Sequence, residues 1–74
     1  MEIHNQYKNQ RVVNDCLFTD YICLIRLDYH LYLVTYTEAV SDGWTNNPIT
    51  STTATFDEYP DALKYMDALV EKLQ

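Results

Sequence analysis

Two apolar runs separated by only three residues constrain the fold of this chain most strongly. The runs are YICLIRL (residues 21–27) and LYLVTYT (residues 31–37), and their β-branched and aromatic side chains favour β-strands. The intervening DYH leaves room only for a hairpin turn, so the two strands must pair antiparallel. The sequence therefore predicts an antiparallel sheet built around this hairpin.

The length of the turn decides which side chains share a face of the hairpin. With a three-residue turn, one face carries Cys23, Ile25, Leu27, Leu31 and Leu33, and the other carries Ile22, Leu24, Arg26, Tyr32, Val34 and Tyr36. With a two- or four-residue turn the partners exchange, and Ile22 and Leu24 join Leu31 and Leu33. Either register leaves apolar side chains on both faces. One helix covers only one face, so the other needs the N-terminal segment, a second copy of the chain or a partner protein.

The C-terminal segment has the period of an amphipathic helix. Its apolar residues recur at i, i+3, i+4 and i+7, and they are Tyr59, Ala62, Leu63, Met66, Leu69, Val70 and Leu73. Asp57 is a favourable N-cap, Pro60 falls in the first turn, and Lys72 suits the negative end of the helix dipole. We predict a helix over residues 58–73.

The remaining segments are predicted to be extended. A third strand, ITSTTATF (residues 49–56), follows the loop SDGWTNNP, which either holds Trp44 against the domain or presents it outward. Residues 1–18 are interpreted as extended structure with a turn at Asn14 and Asp15. The alternative for that segment is a helical turn with Val12, Val13, Cys16 and Leu17 on one side.

These elements predict one α+β domain over residues 1–74. It has two layers, a three- or four-stranded antiparallel sheet and one C-terminal helix packed on one face. The chain contains no internal repeat, linker or low-complexity tract. At 74 residues it lies near the lower size at which a single core is sufficient, because such a chain buries only about 60% of its unfolded surface.

The net charge of −6 is unevenly distributed. Residues 1–27 hold three acids and three cations, whereas residues 28–74 hold two lysines and eight acids: Asp28, Glu38, Asp42, Asp57, Glu58, Asp61, Asp67 and Glu71. A body with this charge repels nucleic acid and is attracted to basic protein surfaces. Direct nucleic-acid binding is therefore not expected, and the alternative to a basic partner is that the charge serves only solubility.

Helix-start chemistry explains only part of this acid set. Asp57, Glu58 and Asp61 lie where negative charge is stabilised by the helix dipole. Asp67 and Glu71 are spaced i, i+4 and repel each other mildly, which structure alone does not require. Asp28, Glu38 and Asp42 are expected at strand ends and loops, where acids are solvated.

Catalytic and metal-binding patterns are not found. Cys16, Cys23 and His30 are spaced by seven residues, with His4 as a distant fourth ligand, whereas zinc sites usually bring ligands in close pairs. The sequence also lacks a Gly-rich phosphate loop and a nucleophile elbow. We therefore expect no metal, no cofactor, no enzymatic activity and free thiols at both cysteines.

The location expected from the sequence is the cytoplasm. No apolar run approaches the roughly 18 residues of a membrane span, and MEIHNQYKNQ is too polar for a signal peptide. The chain is interpreted as a complete protein that starts at its own Met1.

The small size, acidity, seven tyrosines and FDEYPDALKYMDAL helix together resemble small phage-encoded inhibitors. The anti-CRISPR proteins are the best-known set, and acidic anti-restriction DNA mimics stand beside them. The resemblance implies a cytoplasmic protein in a host bacterial cell that binds a nucleic-acid-handling complex, such as a CRISPR effector, and blocks access of DNA or guide RNA. A charge of −6 is modest for a DNA mimic, so partial electrostatic competition or a steric block is expected.

The leading functional hypothesis is thus a non-enzymatic inhibitor that binds a basic host complex. The expected partner-binding residues are Tyr32, Tyr36, Asp42, Trp44, Asp57, Glu58, Asp61, Asp67 and Glu71, with the aromatic residues as anchors because aromatic side chains dominate interface energetics. The alternative is a homodimeric structural or adaptor domain that associates through the second sheet face.

Overall fold

A computed structural model describes residues 2–73 of the chain. Its elements are β1 (Glu2–Val13), β2 (Cys16–Asp28), β3 (Leu31–Ser41), β4 (Asn46–Phe56) and α1 (Tyr59–Leu73). The four strands form one antiparallel sheet in the order β1-β2-β3-β4, and α1 packs on one face of it. The predicted two-layer α+β class is confirmed.

The N-terminal segment is a strand joined to β2 by a two-residue turn. Asn14 and Asp15 have φ values of 51° and 65°, and Val13 pairs directly with Cys16. Left-handed backbone at both central positions is the geometry of a type I′ turn, and Asn and Asp tolerate it better than other non-glycine residues. The extended interpretation is confirmed for residues 2–18, residue 1 lying outside the described residues, and the helical-turn alternative is wrong.

The β2–β3 hairpin adopts the register predicted for a three-residue turn. Ile22 pairs with Tyr36 and Ile25 pairs with Leu33. The strands end at Asp28 and Leu31, but an irregularity in β2 after Arg26 adds one residue. The extra residue has the same effect as a third turn residue. Ile22 and Leu24 therefore share a face with Val34 and Tyr36.

The core lies between α1 and the middle of the sheet. Its buried members are Ile22, Leu24, Val34, Ala62 and Met66. The other apolar residues of the predicted helix stripe pack around these side chains, so the stripe is confirmed. The helix begins at Tyr59, and the carbonyl of Glu58 accepts the Ala62 N–H at 3.3 Å. The predicted N-cap at Asp57 is therefore one residue too early.

Two strands are longer than their apolar patterns predict. β3 continues four residues beyond Thr37, and β4 starts at Asn46, before Pro48. Pro48 is tolerated because β4 is an edge strand. Glu38 therefore lies inside β3, and the prediction that it is a solvated residue at a strand end is wrong.

The helix is too short to cover the sheet. Strands of 11–13 residues extend about 36–43 Å, whereas a 15-residue helix is only about 22 Å long. The molecule accordingly measures 42 × 23 × 16 Å. Part of the helix-side face and the whole opposite face are left without a covering element among residues 2–73.

Candidate functional site: an acidic helix face, a buried-acid cluster and an open sheet face

A cluster around Asp20 occupies the helix-side face of the sheet. Register places Asp20 opposite Glu38 and two residues before Ile22, so its side chain lies on the same face as the core. Arg11 donates to Asp20 Oδ2 and to Glu38 Oε2, each at 2.7 Å, and Tyr36 Oη donates to Asp20 Oδ1 at 3.0 Å. These four residues are called the Asp20 cluster below.

Asp20 is fully buried, so its carboxylate depends on these partners. Burial, and next the hydrogen bond to Asp20, raise the pKa of Tyr36 to about 12, which keeps the phenol protonated as the donor. The hydrogen bond to Glu38 and the charge of Asp20 raise the pKa of Arg11. The guanidinium also lies over the Phe18 ring at 5.1 Å. The cluster therefore joins β1, β2 and β3 by side-chain contacts.

The acidic helix face consists of five exposed carboxylates: Asp57, Glu58, Asp61, Asp67 and Glu71. Within residues 2–73, none of the five lies within 4.0 Å of a cationic group. Lys64 and Lys72 are exposed on the same helix without pairing to them. The structure thus presents all five predicted acids to solvent on or just before α1.

Asp42 has a local structural role. Its Oδ1 accepts the N–H groups of Trp44 and Thr45, both at 2.9 Å, and shapes the β3–β4 loop. These hydrogen bonds, with that of Thr45 first, lower the pKa of the Asp42 carboxyl. Trp44 is 93% exposed, which settles the two predicted placements in favour of the outward one.

The predicted site residues do not form one surface. The β3–β4 loop and the start of α1 lie at opposite ends of β4, which spans about 35 Å. Asp42 and Trp44 are therefore remote from Asp57 and Glu58. The acids of α1 remain together because one helix carries them.

Tyr32 and Tyr36 are engaged inside the molecule. Tyr32 packs edge-to-face on Tyr59 at 5.8 Å and lies 6.2 Å from the His4 ring. Tyr36 is half-buried and hydrogen-bonded to Asp20. Their contacts serve the fold, and Trp44 is the aromatic member of the predicted set that is exposed to solvent.

The face of the sheet opposite α1 is called the open sheet face. Register assigns it five residues of β2 and their partners on β1 and β3: Leu17, Thr19, Tyr21, Cys23 and Ile25, with Ile3, Gln6, Lys8, Gln10 and Val12, and with Leu33, Thr35, Thr37, Ala39 and Ser41. On β4 the face continues through Ser51, Thr53 and Thr55. This set contains no acid and one cation, Lys8. The acidic helix face and the Asp20 cluster lie on the other side of the sheet.

The thiols are free in the structure. Cys16 and Cys23 are seven residues apart on one strand, so they lie on opposite faces of the sheet. Across residues 2–73, no group of three or more His, Cys, Asp or Glu side chains is placed to hold a metal ion. Over the same residues, α1 is too short and too polar to cross a membrane.

The Asp20 cluster was missed by sequence reasoning, which counted Asp20 only toward the net charge. A usable signal was present, because Asp20 falls on the same alternation as the core residues Ile22 and Leu24. A charged acid at an inward-facing strand position needs a cation or hydrogen-bond donors from neighbouring elements.

Comparison of the chain with protein-family models, with curated proteins and with solved structures finds no match.

Proposed function

We propose that this chain is a non-enzymatic binding protein that inhibits a basic, nucleic-acid-handling protein complex through its acidic helix face. The observation that carries the proposal is that five exposed carboxylates lack a cation within 4.0 Å among the described residues. Arg11 is paired with both Asp20 and Glu38, so it balances one of their two negative charges. Residues 57–73 hold five acids and two lysines, so this segment carries a net charge of −3, half of the total of −6.

The proposed mechanism is competition for a surface that binds phosphate. A cationic groove attracts a carboxylate-bearing helix by the same long-range field that attracts nucleic acid. The helix then blocks the groove sterically, which does not require the charge density of DNA. On this proposal the chain is encoded by a phage or other mobile element, and its partner is a bacterial complex such as a CRISPR effector.

Neutralising the helix acids tests the proposal. The variant carries Asp61→Asn, Asp67→Asn and Glu71→Gln, and its matched control carries Glu2→Gln, Asp15→Asn and Asp28→Asn. Both change the net charge by the same amount, but the control alters acids outside α1. Tagged proteins are used to capture partners from bacterial lysate at 50 and at about 500 mM salt, since salt screens exposed charges.

The wild type and the control are expected to enrich a nucleic-acid-handling protein at low salt, with about tenfold less recovered by the helix variant. Circular dichroism verifies that both variants are folded. Equal enrichment by both variants, or capture of no nucleic-acid-handling protein, would overturn the proposal.

The open sheet face supports a second candidate, a homodimeric adaptor domain. Four strands about 4.8 Å apart and about 30 Å of paired length give roughly 600 Å² per copy, or about 1,200 Å² in total, which reaches the size of a stable interface. Two copies meeting through this face would bring no carboxylates together. Their acidic helix faces would point outward on both sides.

Sedimentation equilibrium tests this candidate. Ile25→Lys places a charge in the open sheet face, and Tyr29→Lys adds the same charge at a turn residue that is 78% exposed. A wild-type dimer that persists in high salt, is retained by Tyr29→Lys and is lost in Ile25→Lys supports it. A wild-type monomer at 100 μM excludes it.

A further inference from the structure

β4 is an edge strand whose outward hydrogen-bonding groups can be assigned. The two-residue turn makes Val13 and Cys16 a hydrogen-bonded pair, and such pairs alternate along and across an antiparallel sheet. The same alternation can be followed through the β2–β3 and β3–β4 registers. It directs the main-chain N–H and C=O groups of Thr52, Ala54 and Phe56 toward β3. The main-chain N–H and C=O groups of Ser51, Thr53 and Thr55 therefore point away from the sheet.

This edge lacks the devices that usually prevent strand addition. The sequence from Gly43 to Phe56 contains no charged residue, and Pro48 and the irregularity near Ile49 interrupt only the first part of β4. The opposite edge, β1, is protected by charged side chains and by an irregularity after Ile3. Residues 50–56 thus form an unprotected edge.

An apolar groove runs beside this edge on the helix side. Phe56 and Tyr65 pack against each other with ring centroids 5.3 Å apart, and their rings line the groove together with the small side chain of Ala68. Asp61 and Lys64 complete its lining. The groove has a volume of about 500 Å³, enough for a large apolar side chain. A strand added to β4 would direct alternate side chains toward this groove.

We propose that β4 binds an extended segment of a basic protein by strand addition, with an apolar side chain in the groove and Lys or Arg side chains facing α1. Main-chain hydrogen bonds to Ser51, Thr53 and Thr55 provide affinity, and the groove selects the side chain. The basic character of the segment rests on the function proposed above. Charge complementarity favours this occupant over a second copy, since pairing β4 with β4 would place two acidic helices on the same side of one sheet.

Thr53→Pro removes one outward N–H at a position where proline does not break the β3–β4 ladder. Thr53→Val has nearly the same shape and keeps that N–H, so it is the matched control. The probe is a capped nine-residue peptide in which lysine and threonine alternate, starting with lysine. Leucine replaces the central lysine, so it lies on the same side of the strand as the other lysines. Its binding is measured by calorimetry and by amide hydrogen exchange.

The wild type and Thr53→Val are expected to bind the probe equally, with new exchange protection at Ser51, Thr53 and Thr55. Thr53→Pro should bind at least about tenfold more weakly, as expected for a lost main-chain hydrogen bond and strand displacement. Ala68→Gln, which narrows the groove, and a probe with aspartate in place of leucine should each weaken binding similarly. Thermal melts verify that the variants are folded.

The outcomes separate this inference from the proposed function. Equal binding by Thr53→Pro, protection elsewhere, no binding of the probe, or a wild-type dimer abolished by Thr53→Pro would overturn strand addition by a partner. If the helix-acid variant loses its lysate partner while Thr53→Pro retains it, the proposed function of the acidic helix face stands and strand addition to β4 is overturned. If Thr53→Pro loses the partner while the helix-acid variant retains it, only strand addition to β4 stands.

Discussion

At the scale of single residues, Asp20 shows how a small sheet accommodates a buried charge. The carboxylate is fully buried, yet it accepts from Arg11 and Tyr36, and no buried side-chain N or O atom within residues 2–73 lacks a partner. Losing one partner of a buried charge costs more than losing the pair, because the remaining charge is left desolvated. The cluster therefore stabilises the sheet only as a unit.

Asp20→Asn is expected to destabilise the wild type by about 1–3 kcal/mol, since an amide cannot accept both donors as a carboxylate does. In an Arg11→Met background the same change should stabilise, because it removes a buried charge that has lost its cation. Urea unfolding of the four proteins measures this reversal of sign. Additive effects would contradict a coupled cluster.

Tyr36 gives the cluster a pH dependence. Its pKa is raised from 10.0 to about 12 in the folded state, so the folded chain holds this proton more tightly than the unfolded chain. The resulting stabilisation is complete below pH 10 and is lost as the pH rises from 10 to 12. The stability difference between wild type and Tyr36→Phe should shrink over this interval in urea titrations, and a constant difference would count against the assignment.

At the scale of elements, backbone geometry at the turns decides the register. The Asn14–Asp15 turn requires positive φ at both positions, and the extra residue after Arg26 places Ile22 and Leu24 on the same face as Val34. The apolar alternation of residues 21–37 allowed either face to be buried. The turn geometry therefore decides that Val34, and not Leu33, shares a face with Ile22 and Leu24.

Asp15→Gly should stabilise the protein by about 0.5 kcal/mol, because glycine adopts φ of 65° without the steric cost of a side chain. Asp15→Ala, which has a Cβ and no side-chain oxygen, should destabilise it. Thermal unfolding at pH 7 measures both effects. A higher melting temperature for the alanine variant would argue against the type I′ geometry.

At the scale of the whole molecule, most of the charged side chains lie on the helix side of the sheet and the open sheet face is nearly uncharged. The acidic helix face and the Asp20 cluster lie on one side of the sheet, whereas the open sheet face carries Lys8 as its charged residue. The N-terminal segment was one of three expected covers for the second face, but it is the edge strand β1. A second copy of the chain and a partner protein remain as proposed covers for the open sheet face.

Glu71→Lys separates stability from function at this scale. It replaces the Asp67–Glu71 repulsion with an i, i+4 attraction and places a cation near the helix C-terminus, which should stabilise the protein by about 0.5–1 kcal/mol at low salt. The gain should decrease at 0.5 M NaCl, and capture of the lysate partner should fall. Stabilisation with unchanged capture would indicate that this acid does not contact the partner.

The sequence by itself determined the fold class, the hairpin and the helix stripe, because alternation and helical period report which side chains a strand or helix can bury together. It also placed the acids of α1 on one element. Only the tertiary structure decided that β4 is an exposed edge, that Trp44 is remote from the helix acids, and that Asp20 meets Arg11 and Tyr36. These relations depend on the order and register of strands distant in sequence, and local periodicity carries no information about either.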